Sequence, residues 1–332
     1  MPYKIRLKNI SKQFVVEHGE TILEAALKAG LNVAYGCNNG NCGLCAARLL
    51  NGKVSKIKSS DYAFSTSLKV QHYFLMCANT PASDIDITAE VADSSTQIPV
   101  QYFRAKLSKV ERIAERLAVV RMRVARSHRL RFMAGQSVFL KHSDYGNHRL
   151  AIASCPCDAG ELEFHIKCDD NQAPRSFCEQ YRIGEWFDVE GPYDSFTFSE
   201  DLARTAVLIA CDTGFAACKS LIEHIVAQDS EVPVHLYRTN LRLPIYMENL
   251  CFAWRDALDQ FSYSTLAPAT NPQSAVANWS LQIADDYPEL RKVDFYLCLP
   301  HKMLLLMKPA LIERGALPQH IFSTAVGETD DT

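Results

Sequence analysis

Tyr35-Gly36-Cys37-Asn38-Asn39-Gly40-Asn41-Cys42-Gly43-Leu44-Cys45 is the stretch on which the reading of this chain turns. Its cysteines fall as C-x4-C-x2-C, and Cys77 follows after a further segment. Four soft thiolates at that spacing are the ligand set of a two-iron, two-sulfide cluster. Gly36, Gly40 and Gly43 let the backbone turn left-handed and bring amide N–H groups close to sulfur, where a cluster needs donors. A zinc site and buried free thiols are the plainer alternatives. Zinc ribbons and fingers pair two short knuckles, and only one occurs here. Simple burial gives no reason to set glycines among three cysteines. Cys37, Cys42, Cys45 and Cys77 are therefore the expected metal ligands.

The rest of the composition is ordinary. The chain has 332 residues, long enough for two domains or three small ones. Hydrophobic residues make up 48% and charged residues 22%, as in a globular protein. A net charge of −3 and a pI near 6.4 argue against a nucleic-acid partner, which calls for a basic excess. The start, Met1 to Arg6, lacks the apolar core of an export signal, and runs such as Ala206–Cys211 and Met303–Met307 are too short to span a bilayer. A cytoplasmic protein with no membrane span is expected, its 12 cysteines reduced. Outside the cluster set, Cys155, Cys157, Cys168, Cys178, Cys211, Cys218 and Cys251 read as small buried hydrophobes. No carboxylate pair, Ser/His/Asp set, histidine metal spacing or Walker loop stands out, so no catalytic side chain is assigned.

Around the cysteine loop, Tyr3–Leu7 and Gln13–Val16 read as strands. Thr21 reads as the N-cap of a helix closed by Gly30. Ala46–Leu50, Asn51-Gly52 and Lys53–Ile57 read as a hairpin, and Asp84–Val91 as a closing strand. One helix on a small sheet is a β-grasp arrangement. With its cysteine spacing, the segment 1–93 resembles a plant-type [2Fe-2S] ferredoxin.

From Gln101 to Ser199 the chain is strand-like, with alternating runs at Ala118–Val124, Ser137–Lys141 and Glu161–Lys167. Phe132-Met133-Ala134-Gly135-Gln136 resembles the F-x-x-G-Q entry strand of the flavin-binding barrel in ferredoxin–NADP reductase relatives. Arg149-Leu150-Ala151-Ile152-Ala153-Ser154 sits where that family carries R-x-Y-S and a short apolar and serine run. Ala173-Pro174-Arg175-Ser176 resembles its pyrophosphate turn, and Gly191-Pro192-Tyr193-Asp194-Ser195-Phe196 its barrel exit. The resemblance implies a six-stranded antiparallel β-barrel over 101–199, with Arg149, Ser154 and Ser176 at FAD. The stacking tyrosine and its serine are replaced by Ala151 and Ile152, or by Leu150 and Ala151. In that second register His148 is the alternative phosphate-facing cation. Ala173 and Asp194 replace glycines.

From Ala203 the period changes. Thr205–Cys211 is a buried-strand run, followed by Asp212-Thr213-Gly214-Phe215 and a helical pattern through Leu221, Ile222 and Ile225. Further strands are expected at Val232–Tyr237 and Val293–Cys298. Strands alternating with helices imply a Rossmann-like parallel α/β sheet with ligands at the strand C-termini. Thr213-Gly214-Phe215-Ala216-Ala217 resembles the nucleotide turn of the same reductases, and Phe295-Tyr296-Leu297-Cys298-Leu299-Pro300 their Y-x-C-G-P strand end. By that resemblance Thr213, Gly214, Phe215 and Cys298 bind NAD(P)H over a segment 203–327. Here too there are departures. Asp212 would place a carboxylate near a pyrophosphate, Leu299 replaces a glycine, and Val326 stands for a closing aromatic. Arg238 or Arg242 is the candidate for the family's ribose-phosphate arginine.

The expected whole is a multidomain α+β and α/β chain, ferredoxin, FAD barrel and NAD domain in that order. It is the order of single-chain reductases serving oxygenases and hydroxylases, with weakened FAD and NAD motifs. The resemblance implies an NAD(P)H-dependent iron–sulfur flavoprotein that passes electrons through FAD and the cluster to an oxygenase partner. The alternative is a degenerate reductase acting as a ferredoxin-like carrier or docking subunit without flavin or nicotinamide turnover.

Overall fold

The structure is a computed structural model and describes residues 2–92, 94–124, 130–157, 160–168, 181–198, 204–228, 230–268 and 271–326. In the first third, β1 (Tyr3–Leu7) pairs antiparallel with β2 (Lys12–Val16). The chain then enters helix α1 (Ile22–Lys28). Thr21 starts that helix through a capping box: its hydroxyl accepts the Glu24 amide at 3.2 Å, and the Glu24 carboxylate accepts the Thr21 amide at 3.0 Å. Next come β3 (Ala46–Asn51), β4 (Val54–Lys56), α2 (Thr66–Val70), β5 (Tyr73–Leu75), β6 (Asn79–Pro81) and β7 (Ile85–Ala89). The main sheet runs β2-β1-β7-β3-β5, with β1 and β7 parallel. Alternation puts Ile5, Leu7, Phe14, Val16, Ile85 and Ile87 on one face, and Ile22, Leu23 and Ala26 of α1 cover it.

One expectation fails here. The Asn51-Gly52 turn does not close a hairpin, because β3 pairs with β5 and β7 while β4 pairs with β6. Gly52 lies against the Asp84 carbonyl and Ile85, so the turn steers the chain past β7 into a second small sheet.

The middle third is β8 (Gln101–Ala114), β9 (Leu117–Val124), β10 (Ser137–His142), β11 (Gly146–Ala151), β12 (Glu161–Lys167) and β13 (Trp186–Tyr193). They form a six-stranded antiparallel sheet in the order β11-β10-β13-β8-β9-β12. Its edges meet just beyond β11, where the Ala153 amide donates to the Glu163 carbonyl at 2.8 Å. The sheet thereby curls around Leu107, Val120, Met122, Val138, Leu140, Phe164 and Phe187. The expectation of reduced thiols is corrected here. Cys155 and Cys157 are joined in a disulfide, Pro156 holding their Cα atoms 5.1 Å apart, within a disulfide's reach. Cys168 is disulfide-bonded as well. Cys211, Cys218 and Cys251 are free and buried, and Cys178 lies outside the described residues.

The last third alternates: β14 (Thr205–Cys211), α3 (Phe215–Ala227), β15 (Val234–Thr239), α4 (Glu248–Ala257), β16 (Phe261–Thr265), α5 (Pro272–Asp286), β17 (Val293–Leu299), α6 (His301–Glu313) and β18 (Ile321–Ala325). The sheet is parallel throughout, in the order β16-β15-β14-β17-β18. Helices cover both faces, which is why β17 is buried along its whole length and β14 along nearly all of it. β15 starts two residues later than expected, after Pro233, which has no N–H to give a ladder. The strand order reverses between β14 and β17, and an α/β sheet opens its ligand crevice at that point. Among the described residues no helix is long and apolar enough to cross a membrane.

Candidate functional site

The four N-terminal cysteines are brought together between α1 and the start of β3. Cys37, Cys45 and Cys77 are buried, while Cys42 is exposed on the rim beside Leu44. They come as two pairs, Cys37 with Cys42 and Cys45 with Cys77, each pair in hydrogen-bond contact. Two thiolates per metal suit a unit of two irons. Among the described residues no three His, Cys, Asp or Glu side chains converge on one ion.

The backbone supplies donors. The Asn41 and Cys42 amides point at the Cys37 sulfur at 3.4 and 3.3 Å, and the Cys37 amide at Cys42 at 3.4 Å. The glycines make this possible. Gly40 and Gly43 have φ of +82° and +79°, and a Cβ at Gly43 would sit 2.3 Å from the Tyr62 ring. Burial alone pushes the Cys37 thiol up, and the amides and Cys42 outweigh it to give a net lowering. Cys77 is held down to about 7, first by its hydrogen bond with Cys45 and against the cost of burial, with the Gly40 amide and Lys58 adding to the effect. Cys45, the other member of that pair, is pushed up. Four thiols in two close pairs, with backbone amides aimed at sulfur, fit an iron–sulfide core.

The second constellation lies on the barrel rim. Arg149 on β11 donates through Nε to the Ser137 hydroxyl at 3.2 Å and lies over Phe139. Its guanidinium also forms an ion pair with Asp194, which accepts from Ser137 as well. The donors a phosphate needs are present, and a carboxylate already shares them. Arg149 and Ser137 would hold an FAD phosphate by exchanging their bonds to Asp194 for bonds to it. His148 turns its ring toward the Tyr145 carbonyl. The Ser154 hydroxyl accepts the Glu163 amide at 3.2 Å beneath α3, so its side chain is engaged inside the fold. Ser176 lies outside the described residues.

At the C-terminal ends of β14 and β17, the Thr213-Gly214 turn lies against Cys298. A Cβ on Gly214 would meet the Cys298 carbonyl at 2.5 Å and the Val326 side chain at 2.9 Å, so only glycine allows this approach. Cys298 is buried with its sulfur 3.6 Å from that of Cys218, and burial pushes its thiol up. Phe215 turns inward under Arg238, whose guanidinium lies 3.8 Å from the ring centroid, so neither side chain faces the crevice. Arg238 is therefore not placed as the ribose-phosphate arginine, which leaves Arg242 exposed, and Phe215 has only its backbone to offer a nucleotide. Asp212 is also reinterpreted. One carboxylate oxygen accepts the amides of Leu241, Arg242 and Leu243 at 3.0, 3.5 and 3.3 Å. Its charge is thus turned toward the loop after β15, on the side of β14 away from β17.

Between the two crevices runs a buried charged cluster that the sequence did not reveal. Glu163 on β12 meets Lys219 on α3 at 3.2 Å, His165 at 3.2 Å and Arg121 at 3.0 Å. Lys219 also donates to the Ala153 carbonyl at 3.3 Å and pairs with Glu223 at 2.6 Å. Burial alone would raise the Glu163 carboxyl, but the His165 hydrogen bond and the Lys219 charge hold it well below the usual range. The cluster pins Ala153 and Ser154, just beyond β11, to the helix that rises from the Thr213-Gly214 turn.

Two parts of the chain match known domain families. Residues 5–82 match the 2Fe-2S iron-sulfur cluster binding domain, and residues 104–198 the oxidoreductase FAD-binding domain. The chain is a ferredoxin-type iron–sulfur domain joined to a ferredoxin reductase-like module, in the class of iron–sulfur flavoprotein oxidoreductases. Within that class it is 26% identical over 336 residues to the terephthalate 1,2-dioxygenase reductase component 1 of Comamonas, covering 98% of each chain. It is 24% identical over 330 residues to the CDP-6-deoxy-L-threo-D-glycero-4-hexulose-3-dehydrase reductase of Yersinia pestis, again over 98% of each. The fold is shared with an Amycolatopsis cytochrome P450 reductase at a TM-score of 0.60 and 21% identity, over 97% of this chain and 98% of that one.

Proposed function

We propose that the chain is an NAD(P)H-dependent reductase component that delivers single electrons to a separate oxygenase or hydroxylase in the cytoplasm. The observation that carries this reading is the paired thiol loop standing on the same chain as a flavin barrel and a parallel nucleotide sheet. In this reading the modules span 1–93, 101–199 and 203–327. Thr213, Gly214 and Cys298 seat the nicotinamide nucleotide at the β14–β17 reversal. Arg149, with Ser137 beside it, holds FAD phosphate, and Cys37, Cys42, Cys45 and Cys77 hold the cluster. Flavin accepts the two electrons of a hydride together and releases them singly, which an iron–sulfur centre requires. The chain's residues orient the donors, and the thiol loop exposes Asn39, Asn41, Cys42 and Leu44, where an acceptor docks.

The test is an absorption spectrum with acid-released flavin identified and iron counted, followed by NADH titration. Two irons and one FAD per chain, with bleaching by NADH, are expected. An intact cluster with no bleaching would instead favour a ferredoxin-like carrier or docking subunit. Zinc or no metal would overturn both.

A further inference from the structure

The contact between the iron–sulfur module and the barrel is built around a buried arginine. Arg131 lies in the segment that leads from β9 into β10 and is 7% exposed. Its Nη2 donates to the Asn32 carbonyl at 2.7 Å, and its Nη1 lies 3.6 Å from the Glu90 carboxylate. Asn32 and Glu90 belong to the corner where residues 32–34 pair with 90–92, through the Ala34 amide to the Glu90 carbonyl and the Ala92 amide to the Asn32 carbonyl. On the barrel side Arg131 is gripped by Gln101. The Arg131 amide donates to the Gln101 side chain at 3.0 Å, and that side chain donates to the Arg131 carbonyl at 2.7 Å. One residue away, the buried Tyr35 hydroxyl donates to the Leu130 carbonyl at 3.2 Å. A guanidinium is costly to desolvate, and here its Nε meets no hydrogen-bond partner. A planar fork that reaches two acceptors at once is better suited to fixing an orientation than to adding stability.

The two ends of this clasp are the ones that matter. Tyr35 is two residues from Cys37. On the other side, residues 130–136 run straight into β10, whose Ser137 touches Arg149. The Gln136 carbonyl also takes the Ile152 amide at 3.0 Å, just beyond β11. A second touch lies at Gly30, after α1, which packs on Gln228 at the end of α3.

We propose that Tyr35 and Arg131 are positioning residues that hold the cluster loop against the flavin barrel, so that electrons pass between the two groups within one chain. The proposal rests on the functional reading above. The step moves one electron from flavin already reduced by NAD(P)H to the oxidised cluster. The flavin is oxidised, the cluster is reduced, the flavin's proton passes to water, and no bond in the chain is made or broken. Electron tunnelling weakens exponentially with separation, so a loosened clasp slows this step and leaves the chemistry at either end intact.

Arg131→Gln and, as a milder change that removes a single hydroxyl, Tyr35→Phe test it. Hydrogen exchange at residues 32–35 and 130–136 is expected to rise in both variants. Rapid mixing with NADH is expected to show flavin reduction at the unaltered rate and cluster reduction slowed about tenfold or more in Arg131→Gln and several-fold in Tyr35→Phe. The cluster's electron paramagnetic resonance signal and midpoint potential stay as in the parent, and Arg131→Lys recovers part of the rate. Unchanged exchange in both variants overturns the clasp. Raised exchange with unchanged cluster reduction overturns its part in electron transfer, and a shifted cluster potential assigns the slowing to the cluster itself. Failure of the parent protein to bleach with NADH would instead strike the functional reading, and the exchange measurement still judges the contact.

Discussion

Asp194 shows how one side chain can set the terms for a cofactor. It occupies a left-handed backbone position at φ +78°, where aspartate and asparagine are tolerated better than most residues, and its carboxylate takes both donors of the barrel rim. A flavin phosphate arriving at Arg149 must therefore displace a like charge. Removing that charge while keeping shape and backbone preference should strengthen flavin binding. Asp194→Asn is expected to tighten FAD by about five- to tenfold, on the order of 1 kcal/mol for a partly exposed pair at the surface. Fluorescence titration of flavin-stripped protein checks this, and the gain should shrink at high salt as screening takes over the role of the substitution. An unchanged affinity would mean that phosphate is held elsewhere, for example by the segment around Ser176. The sequence pointed to Asp194 as a departure from glycine but could not show that its partner was Arg149, 45 residues away. Local spacing reveals a ligand loop such as Cys37–Cys45, in which three thiols and their amide donors lie within one turn of chain. It is silent about charges that meet only after folding.

Elements were legible where a single periodicity ruled them. β14 and β12 match the expected spans because burial on both faces, or strict alternation, leaves a strong pattern. The Asn51-Gly52 hairpin failed because a turn signal specifies a bend and says nothing of which strands pair beyond it. Polar residues inside strands and helices were the least legible. Two of them give the nucleotide sheet a pH dependence. His235 on β15 shares hydrogen bonds with Tyr287 at 2.8 Å and Ser264 at 2.9 Å, and His224 on α3 lies 3.9 Å from the Cys155 sulfur. Burial lowers both imidazoles to about 4. Their unfolded value is about 6.5, so between those limits the unfolded chain binds protons that the folded chain refuses. Stability is therefore fully present above about pH 6.5 and declines as pH falls toward 4, by on the order of 2 kcal/mol for each ring. His165, buried and lowered in the same direction, adds to the effect, whereas the depressed Glu163 carboxyl contributes only at more acid pH. Urea midpoints at pH 7.5 and pH 5 should differ in that sense, and His235→Gln should flatten the difference. A midpoint that does not move would show these rings to be protonated in the folded protein.

At the scale of the whole molecule, order along the chain becomes order in the electron path. The parallel sheet is joined to the barrel through Ala134, Ala151 and Phe196, which pack into the same apolar cluster as α3, and through the Glu163–Lys219 cluster beneath it. The barrel is joined to the thiol loop through Arg131 and Tyr35. In the proposed reading hydride chemistry and single-electron exit sit on different modules of one connected chain, and removing the terminal group should divide the activities. By the proposed function, a small oxidant such as ferricyanide is expected to take electrons from the flavin directly, and cytochrome c to be reduced through the exposed residues Cys42 and Leu44. Stripping the cluster with a mercurial at neutral pH, with flavin content checked afterwards, is expected to leave NADH–ferricyanide turnover within about twofold of the parent. NADH–cytochrome c turnover should fall at least tenfold. Cytochrome c reduction that survives iron loss would place the exit at the flavin, and the thiol loop would then lie off the electron path in spite of its position.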